Sequence, residues 1–480
     1  MIKKITSLTF ACLIGGMLFS QTSEAIEKKV LQQLDGKKES LAKIAHQIWE
    51  WAEVGYQEHQ SSELLQKTLK DAGFKVEVGV AGIPTAFVAT YGQGAPVVGI
   101  LAEFDALPGV SQQAVPVRAE RADQTAGHAC GHHLFGAGSS GAAISVKEWL
   151  ASSGHQGTIR LYGCPAEEGG AGKVYLVRAG LFDDVDAVIH WHPGSRNSAS
   201  AGSSLANKSA KFRFYGNASH ASASPWNGRS ALDGVEAMNY MVNMMREHTL
   251  PESRIHYVIT RGGEAPNVVP EFAEVYYYVR HPDMDEVRKL FDRIAEAAEG
   301  AAKGTGTRME YEVIHGIYNV LPNKTLGEVM FSKLQKVGGV SYTDEEKAFA
   351  EQIMTTYKAE NLSPASAEQI DPFEVREVGR GGSTDVGDIS WVVPTAGLSA
   401  ATWVPGTSAH SWQAVAAGGT SIGHKGMMVA AKTMALAAIE IMQHPELAQK
   451  AKEELLQRRG KDFKYEALLG DREPPLDYRK

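Results

Sequence analysis

The order of strand-like and helix-like segments along the chain is the feature that most restricts its fold. Short apolar runs typical of buried strands lie at Ala86–Tyr91, Val97–Glu103, Thr158–Tyr162, Ala187–Trp191 and Leu398–Val404. Helical patterns lie around and between them, at residues 27–71, Gly138–Leu150 and Lys425–Gln443. Strands separated by helices predict an α/β fold with a doubly wound, mostly parallel sheet.

A different order interrupts this alternation between residues 206 and 317. The segments are strand-like Lys208–Tyr215, helical Ala231–Glu247, strand-like Arg254–Thr260 and Phe272–Arg280, helical Asp285–Lys303, and strand-like Arg308–His315. This β-α-β-β-α-β order is ferredoxin-like. We therefore expect residues 206–317 to form a domain inserted into a discontinuous α/β domain made of residues 26–205 and 318–465. Residues 466–480 are expected to form a loose tail.

The N-terminus carries the pattern of a secretory signal peptide. Lys3 and Lys4 precede an apolar run, and Ser23-Glu24-Ala25 has the small-x-small form of a cleavage site. The run is too short for a stop-transfer helix. We predict removal of residues 1–25, a secreted or periplasmic location and no membrane attachment afterwards; a buried N-terminal helix is the alternative. The formal net charge of −8, without a basic stripe, argues against nucleic-acid binding.

Three histidines surround one of the three cysteines of the chain in Gly127-His128-Ala129-Cys130-Gly131-His132-His133. Thiolate and imidazole are the ligand types that hold zinc and its neighbours in the transition series. Because Cys130 lies among such residues, we rank metal ligation above a disulfide with Cys164. A single cluster leaves a metal site incomplete, so further ligands must come from elsewhere in the chain.

Other ligand-type residues follow the predicted strands. In doubly wound sheets, sites form beyond the carboxyl ends of the strands. The clusters at these ends are Glu103-Phe104-Asp105, Glu167-Glu168-Gly169-Gly170, His190-Trp191-His192-Pro193 and Ser408-Ala409-His410-Ser411. Together with Cys130 and His132 they supply the carboxylate, imidazole and thiolate ligands of a two-metal site.

These motifs resemble those of the dinuclear metallohydrolases of the aminoacylase, glutamate carboxypeptidase and succinyl-diaminopimelate desuccinylase group. Within that family the chain is most similar to the amidohydrolase branch, which includes p-aminobenzoyl-glutamate hydrolase and the plant auxin-conjugate hydrolases. The resemblance spans roughly residues 40–440. The matching segments, in order, are His128–His132, Pro165–Gly170, Trp191–Pro193, Ala218–Ala221, Ala265–Pro270 and Gly382–Asp385.

The resemblance implies a role for each matching residue of the metal site. The ligands of two divalent ions (zinc or manganese, with cobalt a further candidate) would be Cys130, His132, Glu168, His192 and His410. Glu167 would be the general base, and Asp105 would hold a ligand in orientation. His128 and His190 are expected outside the ligand set. His133 departs from the Asp or Asn that is usual in the family.

The resemblance also implies roles for the inserted domain. His220 matches the histidine that reaches the active site of a neighbouring subunit and stabilises the oxyanion there. Asn267 and Arg280 match positions that grip the carboxylate of the substrate, a task that suits the guanidinium fork of arginine. We therefore expect a homodimer that forms through this domain.

The leading hypothesis is a metal-dependent amidohydrolase that cleaves the amide bond of N-acyl or N-aroyl amino acids such as p-aminobenzoyl-glutamate. A dipeptidase or carboxypeptidase on the same scaffold is the first alternative. A catalytically silent peptide-binding protein is the second. A thiol hydrolase that uses Cys130 and His132 is rejected, because residues two apart with an intervening glycine rarely place imidazole against sulfur and no third orienting residue is evident.

Overall fold

The structure, a computed structural model, describes residues 23–379 and 381–479. The strands are β1 Lys75–Val78, β2 Phe87–Gln93, β3 Val97–Glu103, β4 Gly157–Cys164, β5 Ala187–Gly194, β6 Ala201–Gly202, β7 Ala206–Tyr215, β8 Arg254–Arg261, β9 Phe272–His281, β10 Arg308–Ile317, β11 Val375–Arg376 and β12 Thr395–Ala401. The helices are α1 Ser23–Trp51, α2 His59–Asp71, α3 His132–Ser153, α4 Glu167–Gly170, α5 Gly172–Arg178, α6 Ala231–Met245, α7 Met284–Thr305, α8 Lys324–Val337, α9 Asp344–Met354, α10 Val386–Ser390, α11 Trp412–Gly418, α12 Ser421–Gln443 and α13 Pro445–Arg459.

Six strands form the larger sheet in the order β1-β2-β4-β3-β5-β12. Strands β4, β3, β5 and β12 are parallel to one another, whereas β1 and β2 pair in antiparallel fashion. The predicted fold class, a mostly parallel α/β sheet with an inserted α+β domain, is thereby confirmed. Because β3, β4, β5 and β12 run the same way, their carboxyl ends meet at one edge of the sheet.

The N-terminal helical region differs from the prediction of one helical segment over residues 27–71. Helix α1 ends at Trp51, and α2 begins at His59. Between them Ala52 and Tyr56 have positive φ angles of 44° and 64°. These left-handed residues turn the chain, so that the segment between the two helices reaches the carboxyl ends of the strands. The predicted signal peptide lies outside the described residues, except for 23–25 in the first turn of α1.

Helices α3 and α12 form the centre of the larger core. Nearly every residue of α3 from His132 to Val146 is buried, because the helix lies between the sheet and helices α1 and α12. Helix α12 is long and apolar enough to cross a membrane by composition alone, but 83% of its most apolar window is buried inside the protein. It is packed here as a core helix.

The inserted segment forms a second sheet, four antiparallel strands in the order β10-β7-β9-β8. Helices α6 and α7 cover one face and enclose a separate core that includes Phe212, Val275 and Phe291. Strand β8 lies at the edge of this sheet, and its residues from His256 to Arg261 are all exposed. We refer to β7–β10 with α6 and α7 as the lid.

The C-terminal segment that was expected to be loose is packed instead. After α13 ends at Arg459 the chain forms no further helix or strand up to residue 479. Leu468 and Leu469 are nevertheless buried, one against the core of the lid and one against the core of the larger domain. The segment therefore joins the two parts of the molecule.

Candidate metal centre and active site

Cys130 belongs to two groups of metal-type ligands. The ligand atoms of Cys130, His132 and His192 lie within 4.8 Å of one another, and so do those of Cys130, Glu168 and His410. The Sγ atom of Cys130 is 3.4 Å from Nε2 of His192, and Nε2 of His410 is 3.3 Å from Oε1 of Glu168. All five predicted ligands are thus brought together, with the thiol where it can bridge two cations.

Gly131 places the cysteine and histidine against the strand that carries His192. Its φ of +77° lies in the left-handed region, where glycine is favoured. A Cβ atom at this position would lie 2.5 Å from Cβ of Pro193, closer than two carbon atoms can approach. The chain can therefore turn into α3 next to β5 only with glycine here.

Hydrogen bonds fix which nitrogen of each buried ligand histidine is free. Nδ1 of His132 donates to Oδ1 of Asp105 at 2.9 Å, and Nδ1 of His192 donates to the carbonyl of Pro193 at 2.7 Å. Each ring then presents Nε2 toward the centre, which is the usual way that a second hydrogen bond orients a metal-binding histidine. Asp105 thus bonds to one of the proposed ligands, and its orienting role stays a prediction.

The residues at the centre fit divalent ions. Three buried polar atoms, Nε2 of His132, Oε1 of Glu168 and Oε2 of Glu103, have no hydrogen-bond partner within the described part of the chain. Nε2 of His132 lies 3.0 Å from Oε2 of Glu103, and Nε2 of His410 lies 3.3 Å from Oε1 of Glu168, but neither pair is in hydrogen-bonding geometry. Because buried polar atoms are normally paired, unpaired nitrogen and oxygen atoms beside a thiol indicate a site built for cations.

The segment that carries the two glutamates is a strained turn rather than extended chain. Ala166 and Ala171 flank it with φ angles of +56° and +55°, and Glu168 itself is not helical. Such backbone persists where the surroundings fix it. Here the Ala166 amide donates to Glu58 at 2.8 Å, and the Glu168 amide donates to Asp105 at 2.9 Å.

The turn directs the two carboxylates to different partners. Glu168 points to Cys130 and His410, whereas Glu167 lies with Glu103 and His132. Burial raises the pKa of Glu167 well above its usual range, and the carboxylates of Glu103 and Glu168 raise it further. A carboxyl with a raised pKa beside a ligand cluster is typical of a general acid or base.

The protonation states of Cys130 and His192 argue against nucleophilic catalysis by the thiol, because the thiolate is the reactive form. A divalent cation would deprotonate the thiol on binding. Burial raises the pKa of Cys130 well above its usual range, and Glu168 adds to this. Burial lowers the pKa of His192, with a further contribution from His132, so its imidazole is neutral. Cys130 and Cys164 are both free and buried, and the disulfide alternative is therefore not formed.

Lys173 is a functional candidate that the sequence analysis missed. It is fully buried, and its Nζ lies 2.7 Å from both Glu103 and Asp385. Removing one partner of such a buried pair typically costs about 3–5 kcal/mol. The positive charge of Lys173 balances the carboxylates of Glu103 and Asp385, and it opposes the rise in the pKa of Glu167. The sequence did contain a signal that could have identified it, because Lys173 is the one charged residue in the run 169–177.

The other histidines of the motifs lie outside the ligand groups, as predicted for His128 and His190. His128 donates to the carbonyl of Ile48 at 3.1 Å, and His133 donates to that of Gly418 at 3.1 Å. Burial lowers the pKa of His128 to about 3 and that of His190 to about 4, so both are neutral. His133 thus packs between helices in place of the usual Asp or Asn.

The predicted substrate-binding residues of the lid lie in two places. His220 and Asn267 are exposed neighbours, since the Ala221 amide donates to the Asn267 carbonyl at 3.0 Å. Nδ1 of His220 accepts from the Ala223 amide at 3.2 Å, which leaves Nε2 free to donate. Among the described residues, no hydrogen bond or ion pair joins His220 or Asn267 to the ligand groups of the same chain.

Arg280 lies in a cleft of about 510 Å³ between the lid and residues Val378, Gly379 and Gly381. Its guanidinium is 5.5 Å from the centre of the Tyr278 ring, and its buried Nε has no partner within residues 23–379 and 381–479. Arg254 stands directly opposite it on β8. Two adjacent cations attract an anion, so the cleft can hold a carboxylate. Glu252 lines the same cleft and contributes one negative charge there.

The chain matches known proteins along most of its length. Residues 206–306 match the peptidase dimerisation domain of the M20 family. The chain is 41% identical over 448 residues to a subunit of the p-aminobenzoyl-glutamate hydrolase of Escherichia coli (strain K12), covering 88% of this chain and 93% of that protein. It is 30% identical over 447 residues to the Xaa-Arg dipeptidase of Mus musculus, covering 90% and 92%.

The fold is shared with a dinuclear metal binding peptidase of the M20 family from Bacillus subtilis. The TM-score is 0.58 at 18% identity, over 85% of this chain and 99% of that one. The chain belongs to the M20 peptidase family, and it is a hydrolase of the amidohydrolase and peptidase class. The predicted family and the predicted enzyme class are confirmed.

Proposed function

We propose that this protein is a dinuclear metal-dependent amidohydrolase that releases the amino acid from N-acyl or N-aroyl amino acids of the p-aminobenzoyl-glutamate type. The observation that carries the proposal is the sharing of Cys130 between two ligand groups beside Glu167. One ion would be held by Cys130, His132 and His192, and the other by Cys130, Glu168 and His410. Zinc, manganese and cobalt all suit such a donor set.

Glu167 is the residue of this chain that moves protons in the proposed reaction. It takes a proton from the attacking water as the water oxygen bonds to the carbonyl carbon, and it gives that proton to the leaving nitrogen as the C–N bond breaks. The products are a carboxylic acid and a free amino acid. Divalent ions at this site would lower the pKa of water and polarise the carbonyl. Nearby positive charge also favours the ionised form of Glu167, as a base requires.

Arg280 holds the carboxylate of the leaving amino acid in this proposal. Nε of its guanidinium has no partner among the described residues, and a guanidinium can offer two parallel donors to a carboxylate in the interdomain cleft. Arg254, the opposite residue in the sheet, lies in the same cleft and would meet a second carboxylate such as that of a glutamate side chain. The match with p-aminobenzoyl-glutamate hydrolase supports this choice of substrate.

A homodimer completes the proposed site. The edge of β8 has unpaired backbone groups, and Val258 on this strand is 56% exposed. Near the strand, Tyr240, Met244 and Leu250 are 68%, 51% and 50% exposed. An exposed strand edge with an apolar border is a typical association surface. His220 and Asn267, which contact no ligand residue of their own chain, would then stabilise the oxyanion and orient the substrate in the partner's site.

The proposed location is secreted or periplasmic. It rests on the leader pattern of residues 1–25, namely two lysines, an apolar run and a small-x-small cleavage site. Expression of the full chain in a bacterium with a periplasm, followed by fractionation and N-terminal sequencing, tests it. Recovery of the intact leader in the cytoplasmic fraction would contradict it.

A dipeptidase specific for a basic C-terminal residue is the second candidate. Glu252 lies in the same cleft as Arg280 and Arg254, and it could pair with a cationic side chain. The match with the Xaa-Arg dipeptidase also supports this candidate. The two candidates differ in which cleft residue meets the side chain of the leaving amino acid, so the variants Arg254→Gln and Glu252→Gln discriminate between them.

A substrate panel tests the proposal. Protein that begins at residue 26 is stripped of metal, reloaded separately with zinc, manganese and cobalt, and assayed against p-aminobenzoyl-glutamate, other N-acyl amino acids and dipeptides ending in arginine or lysine. We expect the highest kcat/KM with p-aminobenzoyl-glutamate and a selective loss in Arg254→Gln. A preference for the basic dipeptides that is lost in Glu252→Gln would favour the dipeptidase. No turnover with any metal would contradict both.

A further inference from the structure

The backbone carbonyl of Glu168 is held by two side chains from the far end of the chain. The Tyr478 hydroxyl donates to it at 3.1 Å, and the Arg479 guanidinium donates to it at 2.9 Å. Both donors lie more than 300 residues away from Glu168 in sequence. The proposed metal ligand therefore depends for its backbone orientation on a segment that is remote from every other part of the site.

The segment 466–479, which we name the strap, is anchored first on the lid. The carbonyl of Glu466 accepts from Arg288 on α7 and from the Tyr318 hydroxyl, both at 2.6 Å. The Arg472 guanidinium donates to the carbonyls of Val313 and Ile314 on β10 at 2.8 and 2.7 Å. These bonds fix the start of the strap to the base of the lid.

The strap is anchored next on the larger domain. Arg178 on α5 donates to the carbonyl of Arg472 at 2.6 Å, and Gln57 donates to that of Leu476 at 2.7 Å. From there it reaches the Glu167–Glu168 turn. One continuous segment of chain thus connects the lid, which carries the proposed substrate-binding residues, with the turn that carries the proposed base.

The end of the strap fits closely against the turn. The Tyr478 ring packs edge-on against the Tyr56 ring at 5.6 Å, and the Tyr56 hydroxyl donates to the Gly170 carbonyl at 2.8 Å. A Cβ atom at Gly55 would lie 2.5 Å from the Tyr478 hydroxyl oxygen, so glycine at this position leaves room for the contact. The carbonyls of Glu168 and Gly170 are held in this way by adjacent tyrosines.

We propose that the strap positions the reacting carboxylates, with Tyr478 and Arg479 as positioning residues for Glu167 and Glu168. The turn has left-handed alanines at both ends and would relax without partners for its carbonyls. A relaxed turn would move both carboxylates relative to Cys130 and His132. Displacements of about 1 Å at a reacting group lower rates by about a hundredfold. The inference rests on the proposed function of Glu167 and Glu168.

The test uses the full-length protein with the double substitution Tyr478→Phe/Arg479→Met, which removes both donors and keeps the bulk of both side chains. We expect kcat to fall about ten- to a hundredfold while KM for p-aminobenzoyl-glutamate stays within about twofold. Calorimetric titration of the metal-free protein with zinc should give about tenfold weaker binding, because partners behind a ligand tune metal affinity. Tyr478→Phe alone should give a smaller change in the same direction.

The matched control is Tyr175→Phe. The Tyr175 hydroxyl donates at 3.4 Å to the carbonyl of Glu473, which is in the same strap, and among the described residues it makes no hydrogen bond to the Glu167–Glu168 turn. We expect kcat and zinc affinity to stay at the parent values in this variant. Parent values in the double variant, or equal losses in Tyr175→Phe, would overturn the proposal. If the parent protein turns over no substrate, the proposed function fails, and the zinc titration still decides the role of the strap.

Discussion

Gly131 determines whether the ligands can assemble. Its replacement by alanine would introduce a left-handed alanine and a contact at 2.5 Å with Pro193. The left-handed backbone of alanine at this position alone costs about 1–2 kcal/mol. The contact of its Cβ atom with Pro193 would also force β5 and α3 apart. We predict that Gly131→Ala lowers the free energy of unfolding by about 2 kcal/mol or more and weakens zinc binding. Chemical denaturation and calorimetry measure the two effects.

The control for this prediction lies at the other end of the same helix. Gly154 follows α3 with φ +73°, and a Cβ atom there would contact nothing within 4 Å. Gly154→Ala should therefore show only the strain of the left-handed backbone and leave zinc binding unchanged. Equal effects of the two substitutions on zinc affinity would mean that the Pro193 contact does not position the ligands.

The residues at the site were predictable from the sequence to the extent that they form local clusters. Cys130 and His132 stand together, and Glu167, Glu168 and His192 follow predicted strands. Apart from Asp105, which follows a predicted strand, the residues that hold these ligands were not predictable in this way. Glu58 and Tyr478 bond to the turn from 108 and 310 residues away, and no local pattern encodes such a contact.

At the scale of the elements, the hydrophobic periodicity of the sequence predicted the strands and helices better than it predicted where one helix ends and the next begins. The β-α-β-β-α-β order of the lid was predicted correctly because each strand and helix has its own hydrophobic period. The break between α1 and α2 was missed because it depends on Ala52 and Tyr56, residues with no intrinsic preference for left-handed backbone. Tertiary hydrogen bonds, such as the one from the Tyr56 hydroxyl to the Gly170 carbonyl, hold the break in this conformation.

Helix α6 provides a prediction at this scale. Tyr240 and Met244 are one turn apart and exposed beside β8. We predict that Tyr240→Glu/Met244→Glu converts the proposed dimer into a monomer, because two charges would be buried at the proposed interface. Light scattering after size-exclusion chromatography measures the mass. Val117, 48% exposed on the larger domain, supplies the control Val117→Glu, which should remain dimeric. A double variant that stays dimeric would place the interface elsewhere.

At the scale of the whole molecule, the strap shows how far the site depends on long-range contacts. Residues 466–480 were expected to form a loose tail. Their bonds to Val313, Gln57 and Glu168 instead join three distant regions. A segment of this kind is stabilised by its partners rather than by its own sequence, so its order is visible only in the folded molecule.

Mixing two inactive variants tests the dimeric site. If His220 acts in the partner's site, a dimer of one Glu167→Gln chain and one His220→Ala chain contains one complete site. Random re-association makes about half of the dimers mixed, so we predict recovery of about one quarter of the parent activity. Each variant alone, taken through the same mixing procedure, is the control. No recovery after verified subunit exchange would place His220 and Glu167 in the same chain's site.

Stability should fall in acid because of buried neutral histidines. Burial, with Arg280 nearby, lowers the pKa of His315 to about 4, and burial, with His46 nearby, lowers that of His424 to about 4. In the unfolded chain the pKa is about 6.5. Between pH 6.5 and 4 the unfolded state therefore binds more protons, and the free energy of unfolding decreases as the pH drops through this window.

Thermal unfolding as a function of pH measures this effect. We expect Tm to decline from about pH 6.5 towards about pH 4, and the decline to be shallower in His315→Asn, because that variant has one proton fewer to bind on unfolding. The exposed His248 supplies the control His248→Asn, which should keep the slope of the parent. An unchanged slope in His315→Asn would show that this histidine does not contribute to the acid sensitivity.

The metal content of Glu167→Gln, compared with that of Glu168→Gln, tests the central claim most directly. The claim is that the chain holds two cations that share Cys130, with Glu168 as a ligand and Glu167 free for proton transfer. Elemental analysis after identical loading should find about two ions per chain in Glu167→Gln, as in the parent, with turnover abolished, and fewer in Glu168→Gln. Loss of metal from Glu167→Gln with full retention in Glu168→Gln would contradict it.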